Sequence, residues 1–130
     1  MHRSLLVAAI LLSSGLADAA ESVATLLSVC RPVAEAKVAS DGTVRLPQTF
    51  DAGVCWGAFA TYQEAFSLIH PDGSPYLPKV CTPRGVKRSQ EIAVFVEYAT
   101  RHPERHHEPP IQAVIDALQA AFPCSTSDKK

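Results

Sequence analysis

Residues 81–124, CTPRGVKRSQEIAVFVEYATRHPERHHEPPIQAVIDALQAAFPC, decide the fold, because two helical patterns and the bend between them lie between two cysteines. The first pattern predicts a helix from about Lys87 to Thr100. The second predicts one from Pro109-Pro110, where proline suits the first turn, to about Ala121. Their apolar stripes are Ile92, Phe95, Val96 and Ala99, then Ile111, Val114, Ile115 and Leu118.

The segment between these helices is HPERHHEPP, residues 102–110, with three histidines, two glutamates and three prolines. Pro103 disfavours helical geometry before it, and the two prolines at the end allow only the start of a new helix, so a bend is predicted. A zinc site needs three or four converging ligands, whereas the adjacent His106 and His107 point in different directions in most conformations. The sequence favours a solvated hinge without metal or cofactor; metal binding and partner contact by the histidines are the alternatives.

Two more helical stripes precede this stretch. Pro32 interrupts the first, so that helix is expected to end near Arg31 or to kink there. Asp51 is available to cap the second helix. The stripes are Val23, Leu26, Leu27, Cys30 and Val33, then Cys55, Phe59, Tyr62, Phe66 and Ile69. The chain is therefore predicted to be all-α, a small four-helix bundle linked by disulfides.

Residues 1–19 predict a cleaved secretory signal peptide: Arg3 precedes a short apolar run, and Ala17-Asp18-Ala19 fits a cleavage site. The run is shorter than the roughly 20 residues that span a bilayer. Cleavage removes one base and one acid, so the formal net charge stays at −1. Export to the periplasm of a domain over residues 20–130 is expected, and this charge balance argues against nucleic-acid or membrane partners.

Four cysteines, Cys30, Cys55, Cys81 and Cys124, predict two disulfides in an exported domain. In an up-down bundle Cys81 and Cys124 fall at one end, and Cys30 and Cys55 toward the other. This favours the pairs 30–55 and 81–124, although the long loop at residues 70–80 leaves the other connectivities open. A catalytic thiol is disfavoured, because exported thiols tend to be oxidised.

Enzymatic motifs are absent from the sequence: it has no G-x-S-x-G, no phosphate-binding glycine loop and no H-E-x-x-H. The carboxylates Glu91 and Glu97 on the third helix and Asp116 on the fourth are interpreted as solvated. The absence of motifs in a small disulfide-linked domain favours a binding protein over an enzyme.

The C-terminal half resembles the Rap/Tai family of type VI secretion immunity proteins. That family's pattern is C-x-P-x-G-V-x-x-x-Q, an apolar helix ending Y-x-x-x-H-P-E, and a last helix ending A-F-P-C. The corresponding residues are Cys81, Pro83, Gly85, Val86, Gln90, Tyr98, His102, Pro103, Glu104, Ala121, Phe122, Pro123 and Cys124. LLSVC at residues 26–30 and CWGAF at residues 55–59 extend the match upstream. Lys87 departs from the family's threonine, so the third helix is expected to start at Ser89 or to be capped less well.

The resemblance implies a periplasmic helical protein that occludes the active site of a toxin from neighbouring bacteria, typically a peptidoglycan amidase, with several relatives acting as dimers. The loop HPDGSPYLP, residues 70–78, is the candidate contact: Tyr76 as anchor, with His70 or Asp72 meeting polar groups. A plain surface connection is the alternative for this loop. The alternative function is a small periplasmic chaperone or stress-protective protein with no toxin partner.

Overall fold

Four α-helices form the protein in the computed structural model, which describes residues 22–125. They are α1 (Val23–Ala34), α2 (Phe50–Ser67), α3 (Arg88–Arg101) and α4 (Pro110–Ala121). Over this part of the chain β-pairing is limited to two isolated bridges. The predicted all-α fold is therefore confirmed, whereas the predicted signal peptide, residues 1–19, lies outside the described residues.

The core is centred on α1 and α3, which pack against each other more extensively than any other pair of helices; α2 covers α1, and α4 covers α3. All five apolar residues of the predicted α1 stripe are buried. The other helices contribute Ala52, Cys55, Phe59, Ile92, Phe95, Ala99, Ala113, Val114 and Leu118 to the same cluster. The periodicity of the sequence therefore identified the buried faces of α1, α3 and α4.

Two features of the helix ends differ from the sequence expectations. Of the two alternatives at Pro32, an end near Arg31 or a kink, the first is wrong, because α1 continues through Pro32 to Ala34. The cap of α2 is Thr49, whose hydroxyl accepts from the Ala52 N–H at 3.2 Å, so Asp51 lies in the first turn and is not the cap. Helix α1 runs past Pro32 because burial of Val33 in the core offsets the local effect of the proline. Thr49 is the cap of α2 because it directly precedes the first helical residue and carries a suitable hydroxyl.

Helix α3 begins at Arg88, one residue before the predicted alternative start at Ser89. Gln90 Oε1 accepts from the Lys87 backbone N–H at 2.8 Å, which is half of a capping box. Lysine has no acceptor for the other half. Its ammonium group instead donates to the carbonyl of Gly42 at 2.9 Å, so the residue ties the α1–α2 connection to the start of α3.

Both disulfides have the connectivity that the sequence favours. Cys30 of α1 is bonded to Cys55 of α2, and Cys81 is bonded to Cys124 beyond α4. The first bond lies in the core, and the second fastens the segment before α3 to the end of α4. Gln119 supports the second link by donating to the Lys79 carbonyl at 2.8 Å.

The predicted bend between α3 and α4 is present and caps another helix. It consists of a single 3₁₀ turn, Pro103–Arg105, followed by irregular backbone up to Pro110. Two carbonyls of this hinge, those of His106 and Glu108, accept from the Ala24 and Val23 N–H groups at 3.0 and 2.9 Å. The first N–H groups of a helix lack partners within it, so the hinge fixes the start of α1.

Arg105 holds the hinge in place. Its guanidinium donates to Glu108 Oε2 at 2.8 Å, to Asp116 Oδ2 of α4 at 2.6 Å and to the Tyr98 hydroxyl of α3 at 2.7 Å. These contacts, with those of Glu108 first, raise the pKa of Arg105. Asp116 is therefore an ion-pair partner and not the solvated carboxylate that the sequence suggested.

We expect Arg105→Ala to lower the free energy of unfolding by about 2 kcal/mol, between the values for an exposed and a buried ion pair. The substitution leaves two carboxylates without their cation and frees the hinge that caps α1. Urea denaturation followed by circular dichroism measures the change. The control is Arg101→Ala, which removes an exposed pair with Glu97 and should cost less than about 0.5 kcal/mol. Equal effects of the two substitutions would contradict the role assigned to Arg105.

Reduction of the folded protein should open Cys81–Cys124 before Cys30–Cys55. Cys30 and Cys55 are both fully buried, whereas Cys81 and Cys124 are partly exposed. A thiolate must reach a sulfur atom to attack it. Time-resolved alkylation with peptide mapping during treatment with dithiothreitol measures the order, and the same treatment in denaturant is the control, since unfolding should remove the preference. Early labelling of Cys30 in the native protein is the contrary result.

Candidate functional site

The three predicted partner-binding residues share one ordered loop, residues 68–76, which we call the apolar loop. The rings of His70 and Tyr76 stack with their centroids 3.5 Å apart. The Tyr76 N–H donates to the Leu68 carbonyl at 3.3 Å, and Ile69 forms a bridge with Pro75. The structure thus brings His70, Asp72 and Tyr76 together at the end of α2, beyond its last residue Ser67.

Asp72 shapes the turn at the tip of the apolar loop. Its Oδ1 accepts from the hydroxyl and the backbone N–H of Ser74 at 2.7 and 2.9 Å, and these bonds lower the pKa of the Asp72 carboxyl. Gly73 follows with φ of 85°, a conformation that favours glycine. The His70 N–H donates to the Ser74 carbonyl at 2.7 Å and closes the turn. One oxygen of Asp72 is therefore used within the loop itself.

The apolar loop exposes an unusual amount of hydrophobic surface for so few residues. Leu68, Ile69 and Tyr76 are 56%, 63% and 56% exposed. The sequence prediction that Ile69 lies on the buried stripe of α2 is wrong, because the helix ends at Ser67 and Leu68 is already extended. Large apolar side chains grouped on a surface are typical of interaction sites. The signal for this site was the pair of apolar residues directly before a segment rich in proline and glycine.

A second turn, residues 38–44, is built in the same way. Val38 forms a bridge with Val44, and Asp41 Oδ1 accepts from the hydroxyl and N–H of Thr43 at 2.7 and 2.9 Å. Gly42 has φ of 79°. Asp-Gly followed by Thr or Ser is the sequence signal that the two turns share. Its apolar exposure is smaller than that of the apolar loop, since only Val38 is a large exposed hydrophobic residue here.

A buried carboxylate lies close to the apolar loop. Glu91 of α3 is only 5% exposed, so its interpretation as a solvated residue is wrong. Gln63 of α2 donates to Glu91 Oε2 at 2.6 Å and accepts from Arg88 Nε at 2.9 Å. The Arg88 guanidinium lies over the Trp56 ring, 4.9 Å from its centroid. The sequence signal that was missed is the spacing of four residues between Glu91, Phe95 and Ala99. This spacing places Glu91 on the same buried face of α3 as the other two residues.

Glu91 forms part of the wall of a cleft of about 230 Å³. The other lining residues are Gln63, Phe66, Ser67, Val80 and Thr82. Burial raises the pKa of the Glu91 carboxyl, and the hydrogen bond from Gln63 opposes this effect only in part. The cleft begins at Ser67, directly before the apolar loop, so the two features occupy one side of the protein.

The histidines of the hinge have structural contacts of their own. His106 Nε2 donates to the Ala99 carbonyl at 2.8 Å, and His102 Nδ1 lies 2.9 Å from Glu104 Oε1. The His102 ring also packs on Tyr98, with centroids 4.3 Å apart. Over residues 22–125 no group of three or more His, Cys, Asp or Glu side chains is arranged to hold a metal ion. The hinge therefore offers packing and hydrogen bonds to α1 and α3.

Comparison with known proteins gives one match. The family model described as Rap1a immunity proteins matches residues 22–124, which include all four helices and both disulfides. No curated protein and no solved structure matches the chain significantly. None of the helices within the described residues is both long enough and apolar enough to cross a membrane.

The stability of the protein should depend on pH through Glu91. Its pKa is raised in the folded state, so its stabilising contribution is complete when the carboxyl is protonated in both states and is lost as pH rises through the folded pKa. The usual pKa of this carboxyl is 4.5, and above that pH the unsubstituted protein should lose stability as pH rises. Glu91→Gln lacks the ionisable group. The free energy of unfolding of the variant should therefore increase relative to that of the unsubstituted protein as pH rises.

Urea denaturation at several pH values from 5 to 8 tests this expectation. Asp41, Asp72 and Glu104 have lowered pKa values, so their contributions change below this window. The control Glu97→Gln removes an exposed carboxylate from the same helix. The difference in unfolding free energy between this variant and the unsubstituted protein should stay nearly constant over the same pH range. A difference for Glu91→Gln that does not change with pH would argue against the burial of an ionisable group there.

Proposed function

The chain belongs to the family of Rap1a immunity proteins, and we propose that it neutralises a peptidoglycan amidase delivered by type VI secretion. Family membership across residues 22–124 carries this proposal, because immunity proteins protect a cell by binding a secreted effector. Such proteins generally act without catalysis, in agreement with the lack of enzymatic motifs in the sequence. The nature of the effector as an amidase rests on the family resemblance of the motifs around Cys81 and Tyr98.

We place the action of the protein in the periplasm, where cell-wall amidases reach their substrate. Two disulfides are typical of proteins that fold in an oxidising compartment. The N-terminal pattern of a basic residue, an apolar run and A-x-A supports export through a signal peptide. Both observations favour a site of action outside the cytoplasm.

The apolar loop is the surface that we assign to the effector. Tyr76 is a suitable anchor, because its ring is exposed yet held against His70, and tyrosine is common among residues that dominate binding energy. Leu68 and Ile69 add apolar surface beside it. The internal hydrogen bonds of the turn reduce the ordering cost of inserting the loop into an enzyme groove. Inhibition then occurs by occlusion of the active site.

The direct test combines binding with inhibition. Mature protein is titrated calorimetrically into a purified type VI secretion amidase, and hydrolysis of peptidoglycan is measured at the same ratios. We expect one protomer to bind one amidase and to abolish hydrolysis at equivalence. Light scattering of the free protein and the complex shows whether a homodimer presents two such loops. Tight binding without loss of hydrolysis would contradict occlusion.

Tyr76→Ala should weaken amidase binding by about thirtyfold, which corresponds to about 2 kcal/mol for a dominant anchor. The matched control is Phe50→Ala, an aromatic residue that is 79% exposed at the opposite end of α2. The two ends are about 27 Å apart at 1.5 Å per residue. Calorimetry and circular dichroism of both variants separate the loss of affinity from unfolding.

His107→Ala serves as a further control, since this exposed histidine belongs to the hinge and not to the apolar loop. If that variant loses affinity while Tyr76→Ala retains it, the hinge is the contact surface. If no amidase binds the unsubstituted protein, the amidase assignment is wrong. The chaperone alternative would then gain support if the protein prevents aggregation of acid-denatured clients.

A further inference from the structure

We propose that the Glu91 cleft receives a cationic side chain of the bound effector, preferably the guanidinium group of an arginine. The identity of the partner rests on the proposed function above, whereas the chemistry of the cleft does not. The argument depends on three features: a buried carboxylate that has no cation in contact within residues 22–125, cleft walls that suit a planar cation, and continuity with the apolar loop.

The Glu91 carboxylate makes no ion pair with the residues that the structure describes: within residues 22–125 no lysine, arginine or histidine nitrogen lies within 4.0 Å of it. The charge of Arg88 acts on Glu91 only from beyond that distance and lowers its pKa in part. Arg88 Nε donates to Gln63 Oε1, and its guanidinium lies over Trp56. Burying a carboxylate without a cation is costly, and such groups in proteins are usually paired. A cation from outside the chain would supply the missing partner.

The walls of the cleft suit a guanidinium group. Phe66 and Val80 provide apolar surface on which a planar cation packs, and Ser67 contributes a hydroxyl oxygen at the rim. The cleft volume of about 230 Å³ is sufficient for one such group. Arginine is preferred to lysine, because its planar fork matches the geometry of a carboxylate and it is more weakly hydrated.

The cleft and the apolar loop form one continuous surface. Ser67 lines the cleft and is followed by Leu68, whose carbonyl accepts from the Tyr76 N–H. Val80 and Thr82 enter the cleft from the segment that leaves the loop. A protein seated on the loop therefore has its own surface next to Glu91. The combination selects a partner that presents an exposed arginine beside an apolar groove.

Nuclear magnetic resonance titration tests the cleft without any effector. The ¹⁵N-labelled protein is titrated with N-acetyl-arginine methylamide and, separately, with the citrulline analogue, which has nearly the same shape without the charge. The side-chain amide of Gln63 is the reporter, since it is bonded to Glu91 Oε2. We expect saturable shifts of this amide with the arginine probe, and binding weaker by about tenfold or more with citrulline.

Glu91→Gln should abolish the response to the arginine probe, whereas Glu97→Gln, an exposed change on the same helix, should leave it intact. The amide spectrum of each variant reports whether the fold is preserved. Equal responses to both probes, or an undiminished response of Glu91→Gln, would overturn the proposal. Because the titration contains no amidase, its failure is distinct from a failure of the effector to bind.

Discussion

The contacts of Arg105 are the constraint on which the rest of the structure depends. This one side chain joins the hinge to α3 through Tyr98 and to α4 through Asp116, and it fixes the hinge internally through Glu108. The hinge carbonyls in turn satisfy the first N–H groups of α1, the helix that packs most extensively on α3. A guanidinium group holds its five donors in a fixed planar fork, so it can bond acceptors on three separate segments in one defined geometry, whereas the donors of lysine rotate about a single nitrogen. Arg105 thus fixes the angle between α3 and α4 and the start of α1.

The second constraint acts on the long connection between α2 and α3. Connections of this length are uncommon in small domains unless they are functional or tied down. Here the Cys81–Cys124 bond and the contact between Gln119 and the Lys79 carbonyl fasten the end of the connection to α4. At its start, the Asp72 turn and the ring stack of His70 on Tyr76 order the apolar loop. The connection is therefore fastened at both ends by contacts within the chain.

The fold could be predicted from the sequence because it rests on periodicity and cysteine pairing. The stripe of α1 and the bend at Pro103 follow directly from residue spacing and proline geometry. The candidate site could be predicted only in part. Glu91 has helical spacing from Phe95 and Ala99, yet a glutamate is assigned to solvent because burial of a charge is costly. The roles of Arg105 and of exposed Ile69 depend on where separate segments meet, and no local pattern encodes that.

The residues that we propose for recognition differ from those that hold the fold. The hinge contacts and the Cys30–Cys55 bond involve none of the residues of the apolar loop or the Glu91 cleft, although Phe66 and Val80 of the cleft also pack against the core. Residues such as Leu68 and Tyr76 are exposed, so a change of partner can alter them at little cost to the fold. Glu91 is the exception, because it is buried and burial raises its pKa, so its ionisation costs stability as pH rises through the folded pKa. Its hydrogen bond with Gln63 joins α3 to α2, and its place in the cleft next to Ser67 is the observation on which the proposed binding of a cation rests.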